Sequence, residues 1–184
     1  QIAFLDSVSF ELVGLGNNIN DTARRFTYID PLILDLNGDG VKLTDYGTDP
    51  VLFDIDNDGG SLEQTGWGSA QDGSVVMDLN GNGTIDNIRE TFSEYFNGTA
   101  GTGGAAGTKP YTDGFAALKS QDSNGDNLFT SADTAFNNVR VWVDANHDAK
   151  TDAGELKTLS ELNITRINLA AKVESGLVRD GNEV

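Results

Sequence analysis

An aspartate followed by proline, four residues ahead of an acidic glycine-rich turn, is the arrangement in this chain best suited to chemistry. The pair is Asp30-Pro31. An aspartyl carboxylate reaches its own main-chain carbonyl carbon and closes a five-membered anhydride, which expels the next residue's nitrogen. Proline in that place blocks the competing imide, because imide formation needs an N–H that proline lacks. Its tertiary amide also twists more readily than an ordinary one. The attack is intramolecular, and well-oriented cases reach effective molarities of about 10⁵–10⁸ M, or ~7–11 kcal/mol. Orientation is therefore what a fold must add. Water ends the anhydride as a free C-terminal aspartate, and an amine ends it as a new amide. Neither fate needs a thiol or an imidazole.

Five short acidic segments have the spacing of calcium loops. They begin at Asp35, Asp54, Asp78, Asp122 and Asp144. Oxygen side chains at loop positions 1, 3 and 5 turn toward one centre, position 6 takes a sharp turn, and an acid at position 12 closes the shell. The candidate ligands are Asp35, Asn37 and Asp39 in the first loop and Asp54, Asp56 and Asp58 in the second. The third offers Asp78, Asn80, Asn82 and Asp86, with Glu90 one residue late. The fourth offers Asp122, Asn124, Asp126 and Asp133. The fifth is the most complete, with Asp144, Asn146, Asp148, Asp152 and Glu155. Tyr46 and Thr65 stand at position 12 of the first two, so these loops must borrow ligands from elsewhere, stay water-rich, or be only turns. His147, the single histidine, sits at position 4 of the fifth loop and is expected to face solvent.

The bulk numbers agree with a cation-binding chain. The 184 residues carry a net charge of -17, which disfavours nucleic acid and anionic membranes as partners. Five Ca²⁺ would bring that charge to roughly -7, so folding is expected to be coupled to calcium. There is no cysteine, which excludes disulfides and thiolate sites. No apolar run approaches the ~20 residues of a membrane span. A basic-then-apolar leader is also missing from the N-terminus as given. Such a composition suits a bacterial protein that is secreted or held at the cell surface, exported without a signal peptide, where calcium is plentiful.

The elements that must position these groups read as α+β. Leu32–Leu36, Val51–Ile55, Val75–Leu79 and Val139–Asp144 are expected strands running into calcium loops. Helices are expected mainly in the C-terminal half, over 88–96, 115–118, 131–136 and 155–162, with a last strand at 165–169. The fourth and fifth loops would then form a paired EF-hand-like unit. Residues 97–109 are almost all Gly, Ala and Thr. They fail as a phosphate loop, because no strand precedes them and Pro110 follows, and are read as a flexible surface loop. Residues 1–29 form an upstream flank with short extended pieces from Ile2 to Val13, 30–172 the calcium-binding module, and 173–184 a tail.

The ordered series resembles a known family. Asp30-Pro31-Leu-Ile-Leu-Asp35-Leu-Asn-Gly-Asp-Gly40 is similar to the start of the self-processing module of FrpC-like RTX proteins. The likeness runs on through Leu52-Phe53-Asp54, Thr65-Gly66-Trp67, Asp78-Leu-Asn-Gly-Asn-Gly83 with Glu90, and Gly114-Phe115-Ala-Ala-Leu118. It continues through Asp122-Ser-Asn-Gly-Asp126 and Val139-Arg-Val-Trp142 to Gly154-Glu155-Leu156. The resemblance implies calcium-triggered autocatalytic cleavage of Asp30–Pro31, with transfer of the new aspartyl end to a lysine amine as an isopeptide crosslink. The resemblance allows an acceptor lysine on the same or another protein, which leaves Lys42, Lys109, Lys119, Lys150, Lys157 and Lys172 open. Ile88-Arg89, ahead of Glu90, departs from the family's small residues. Asp49-Pro50 is an extra Asp-Pro pair that the family pattern does not require.

Residues 30 to 35 span about 16 Å if extended, so an ion held by Asp35 does not also polarise the Asp30 carbonyl unless the chain bends sharply. Calcium is therefore expected to act by folding the module around the bond. The donor of a proton to the Pro31 nitrogen is not named by the sequence; Tyr28 is near but is expected to pack or flank. The alternative reading is a calcium-stabilised spacer or adhesin segment of a secreted RTX protein, in which both Asp-Pro pairs are only turns. A hydrolase using paired carboxylates carries little weight, because 29 acidic residues make almost any pair available.

Overall fold

A computed structural model describes residues 29–45, 48–60 and 62–170, together with the backbone of three two-residue strands near the ends. The upstream extended pieces beyond Ile2–Ala3, Tyr28, Tyr46, Lys172 and the tail from residue 173 lie outside the described side chains. The strands are β1 (Ile2–Ala3), β2 (Ile33–Asp35), β3 (Val51–Phe53), β4 (Glu63–Thr65), β5 (Asp72–Val76), β6 (Leu128–Thr130), β7 (Arg140–Trp142), β8 (Leu156–Thr158), β9 (Arg166–Asn168), β10 (Val178–Arg179) and β11 (Asn182–Glu183). Five of them form one sheet in the order β1-β2-β5-β7-β8, and three two-stranded ribbons pair β3 with β4, β6 with β9 and β10 with β11. Every pairing is antiparallel.

The α+β expectation is corrected by this arrangement. Among the described residues there is one α-helix, α1 (Gly114–Lys119), and one 3₁₀ turn at Ile88–Glu90. Long-range pairing claims the backbone that the expected helices needed. In 88–96, the N–H of Phe92 donates to Val75 O at 2.9 Å and the carbonyl of Phe92 accepts from Leu32 N at 2.8 Å. In 155–162, Leu156–Thr158 is pulled alongside β7, with Trp142 opposite Leu156. In 131–136, the turn is closed by Asp133, whose Oδ2 accepts from Thr130 N at 2.8 Å. A short helix has a costly nucleus and few bonds to repay it, so the sheet and the acidic side chains prevail. The paired EF-hand-like unit is likewise absent from the described residues: α1 precedes the fourth loop, but β6 follows it, and β7 and β8 flank the fifth.

The short strands suffice because they feed two cores. One gathers Leu32, Leu34, Val75, Phe92, Leu118, Phe129 and Val141. The other gathers Phe53, Ile55, Val76, Ile88, Tyr95 and Trp142, with Trp67 packed against it. Phe53, Trp67 and Trp142 make a ring cluster with centroids 5.1 to 5.9 Å apart. The Asp30-Pro31 pair lies where the two meet. Ile29 packs on the second core, and Leu32 is fully buried in the first. Burying a side chain like Leu32 contributes about 1.5–3 kcal/mol, so both flanks of the bond are anchored.

Candidate functional site

All five loops share one backbone. Position 4 has a positive φ in each: Gly38, Asn57, Gly81, Gly125 and His147. So does position 6, at Gly40 (91°), Gly59 (93°), Gly83 (87°), Asn127 (62°) and Ala149 (54°). An L-residue with a side chain is disfavoured in this region, so Ala149 adopting it shows that the loop geometry prevails over local preference. The first aspartate drives the curl in four loops, accepting N–H groups from within the loop. Asp35, Asp78 and Asp122 take the N–H of position 4 on one oxygen and that of position 6 on the other, at 2.7 to 3.0 Å. Asp144 reaches Ala149 N at 2.8 Å, while Asp54 in the second loop has only a longer bond from Asp58 N at 3.3 Å.

The closing acids repeat as well. Glu90 accepts from Leu79 N and Asp86 N, Asp133 from Ser123 N and Thr130 N, and Glu155 from Ala145 N and Asp152 N, all at 2.8 to 3.0 Å. In each loop those N–H groups belong to positions 2 and 9. Glu90 therefore closes the third loop despite standing one residue late. Asp86, Asn80 and Asn82 meet in the same loop, where Asp86 Oδ2 accepts both amides at 2.8 Å. In the fifth, Asn146 donates to Asp152 at 3.0 Å. In the fourth, Asn124 donates to Asp126 at 3.1 Å.

An acid that local spacing does not mark stands beside each of the first two loops. In the second loop Glu63 takes Ile55 N, the position 2 amide, at 3.2 Å. It stands at position 10 and arrives on β4, the strand paired with β3. Asp54, Asp56 and Asp58 present carboxylate oxygens within 4.8 Å of one another. Burial, then the charges of the neighbouring aspartates, outweigh the backbone N–H donors and push up the pKa of Asp54 and of Glu63. In the first loop, Asp72 on β5 lies directly across from Asp35 on β2. Asp72 is 2% exposed, and its Oδ1 is buried without a hydrogen-bond partner while Oδ2 takes Lys42 N at 2.9 Å. Strand register joins these two acids, and no local spacing announces it.

Hydrogen-bond donors favour the anion at Asp35, Asp86 and Asp133. At Asp35 burial opposes the charge, but the N–H groups of Gly40, Gly38 and Asn37 outweigh it and lower the pKa. Asp86 and Asp133 are lowered in the same way, against burial, by amide, hydroxyl and backbone donors. The donor sets are all oxygen and rich in carboxylate, the chemistry of a hard divalent cation such as Ca²⁺.

Asp30 itself is clamped from both sides. Its N–H donates to Glu94 Oε2 at 2.9 Å. Its carbonyl accepts from Gly114 N, the first residue of α1, at 3.0 Å. Beyond Pro31, Leu32 N donates to Phe92 O at 2.8 Å. A Cβ on Gly114 would press on Phe92 O and Leu32 N and come within 2.9 Å of Asp30 O, so glycine is required for this close approach. Neither Glu94 nor Gly114 was picked out as a site residue from the sequence.

Each clamp residue is a short step from a loop. Glu94 follows Glu90, the closing acid of the third loop, by four residues. Helix α1 leads into Asp122, the head of the fourth loop. The Gly/Ala/Thr segment is mostly exposed, without helix or strand, and is tied to the second loop at two points: Gly107 N donates to Asp56 O and Gly101 N to Asn57 O, both at 2.7 Å. Its last residue, Lys109, donates from Nζ to Glu94 Oε1 at 3.0 Å. The expectation for His147 is corrected, since it is half-buried with Nδ1 3.9 Å from Asp49 Oδ2. Asp49 and Pro50 are exposed, unlike Asp30 and Pro31.

The chain belongs to the SPM domain family, which it matches over residues 32–184. That is the module of FrpC-like RTX proteins. Its similarity extends to the "Iron-regulated protein FrpA" of Neisseria meningitidis serogroup C, with 44% identity over 158 residues. The match covers 86% of this chain and 14% of that relative's length. Among the described residues, no helix is long and apolar enough to cross a membrane.

Proposed function

We propose that this module cuts its own Asp30–Pro31 bond when calcium is bound, through an intramolecular aspartyl anhydride, and passes the new aspartyl end to a lysine amine. The observation that carries this reading is the double clamp on Asp30, with Glu94 on its N–H and Gly114 on its carbonyl. The Asp30 carboxylate attacks its own carbonyl carbon. The oxyanion that develops stays on Gly114 N–H, a fixed donor whose bond strengthens as charge builds. A single such donor is worth about 2.7–4 kcal/mol in other sites. Glu94 and the buried flanks Ile29 and Leu32 stop the residue from swinging away. The carbon–nitrogen bond then breaks and the prolyl nitrogen takes up a proton. Calcium, when bound, supplies positive charge that lets the carboxylates of each loop converge.

Asp35, Asn37 and Asp39 with Asp72 would hold an ion in the first loop, and Asp54, Asp56 and Asp58 with Glu63 in the second. The remaining three sets are those read from the sequence. In this reading metal uptake organises the elements that touch Asp30 and does not polarise the bond directly. The parent protein is read as secreted or surface-bound, in keeping with the RTX family. The direct test is to add millimolar calcium to the purified chain and run a denaturing gel. Fragments that begin at Pro31 support processing. An intact band with a raised melting temperature supports a calcium-stabilised spacer instead.

A further inference from the structure

The anhydride needs an acceptor, and one amine is held by the same carboxylate as the Asp30 N–H. The buried Glu94 carboxylate holds the N–H of Asp30 on Oε2 at 2.9 Å and the ammonium of Lys109 on Oε1 at 3.0 Å. The reacting residue and an amine thus share one carboxylate. Lys109 is braced there by the Tyr95 ring, 4.7 Å from Nζ to the centroid. The preceding strap is braced too, with Thr108 N donating to Thr99 O at 2.9 Å and Gly107 N to Asp56 O at 2.7 Å. Lys42, by contrast, is paired with Asp39 in the first loop.

We propose that Lys109 is the internal acceptor of the aspartyl group, so that the processed chain ends as a branched molecule. This inference rests on the cleavage reading above. The balance is complete without any further reactant. The Asp30–Pro31 bond breaks as the Asp30 side-chain oxygen bonds to the carbonyl carbon. That carbon–oxygen bond breaks in turn as Lys109 Nζ bonds to the same carbon, which restores the Asp30 carboxylate. The ammonium loses two protons in becoming an amide N–H, and the prolyl nitrogen gains two in becoming a secondary ammonium. No water is consumed, and the mass of the chain does not change.

The charge state of Lys109 sets the order of steps. Burial works against its charge, but the hydrogen bond and charge of Glu94 outweigh burial and raise its pKa. A lysine so held is not a nucleophile until it yields a proton, and the departing prolyl nitrogen is the group that takes one. Acceptance therefore follows cleavage.

The test incubates the full chain with calcium and reads N-terminal sequencing, denaturing gel mobility and protease mapping together. The expected result is a new N-terminus at Pro31 on a species that keeps the intact mass but migrates abnormally. Mapping then finds the Asp30 peptide joined to the Lys109 peptide. Lys109→Arg converts that species into two separate fragments, the upstream one ending in Asp30 as a free acid, whereas Lys150→Arg keeps it. Wild-type cleavage into two free fragments, or a link to another lysine, overturns this inference and leaves the cleavage reading standing. Absence of a Pro31 N-terminus in every sample overturns the cleavage reading and this inference with it.

Discussion

The amide of Gly114 donates to the carbonyl of Asp30 at 3.0 Å, across 84 residues of chain. That bond sets Asp30 against the start of α1, and a side chain at 114 would stand in its path. Gly114→Ala is expected to slow cleavage at least about 100-fold, as a 1 Å misplacement of reacting groups does. Overpacking of this kind costs about 1–3 kcal/mol in stability. Single-turnover cleavage rates, set beside a melting curve in calcium, measure both effects.

Glu94 is buried with two donors on its carboxylate. Glu94→Ala strands the Asp30 N–H and the Lys109 ammonium together. The expected loss is about tenfold or more in cleavage rate, corresponding to the ~1–3 kcal/mol of a buried donor left unmade. Glu94→Asp should recover part of it. Rate measurements at saturating calcium, with melting temperature as the control for folding, check the order wild type, Asp, Ala.

Glu63 faces Asp54, Asp56 and Asp58, and burial, with the charges of neighbouring aspartates, raises the pKa of Glu63 and of Asp54. Glu63→Gln removes one of four charges from the second loop and should weaken calcium there about tenfold, the ratio that ~1.4 kcal/mol represents. Titration calorimetry would show the weakest step of the isotherm shifted, with the other steps unmoved.

Chelation should act on the whole molecule. With a net charge of -17 and converging acids in each loop, the metal-free form repels itself. Each site filled at 100 times its dissociation constant adds about 2.7 kcal/mol. Excess EDTA is expected to lower the melting temperature by tens of degrees and to stop cleavage. Readdition of calcium should restore both, and circular dichroism against temperature follows the first.

The geometry of the acidic loops was more legible in the sequence than the scaffold. Loop spacing is local, so Asp35, Asp78, Asp122 and Asp144 and their closing acids Glu90, Asp133 and Glu155 could be read directly. The backbone then repeats the curl that the spacing requires. Asp72 and Glu63 could not be read in this way. Each reaches its loop through strand pairing, Asp72 opposite Asp35 and Glu63 opposite Phe53. Glu94 and Gly114 meet Asp30 only in the folded chain. The helices failed for a related reason. Segments such as 155–162 carry helix formers, but Glu155 spends both its oxygens on the loop, and Leu156 pairs with Trp142.

Peptide mapping across Asp30–Pro31 after prolonged incubation with saturating calcium tests the central claim most directly, with Asp30→Asn and Asp49→Asn run alongside. The account predicts a Pro31 N-terminus in wild type and in Asp49→Asn, and its loss in Asp30→Asn, whose side-chain amide is a poor nucleophile. Residues 28 to 33 still contiguous in fully calcium-loaded wild type would contradict it.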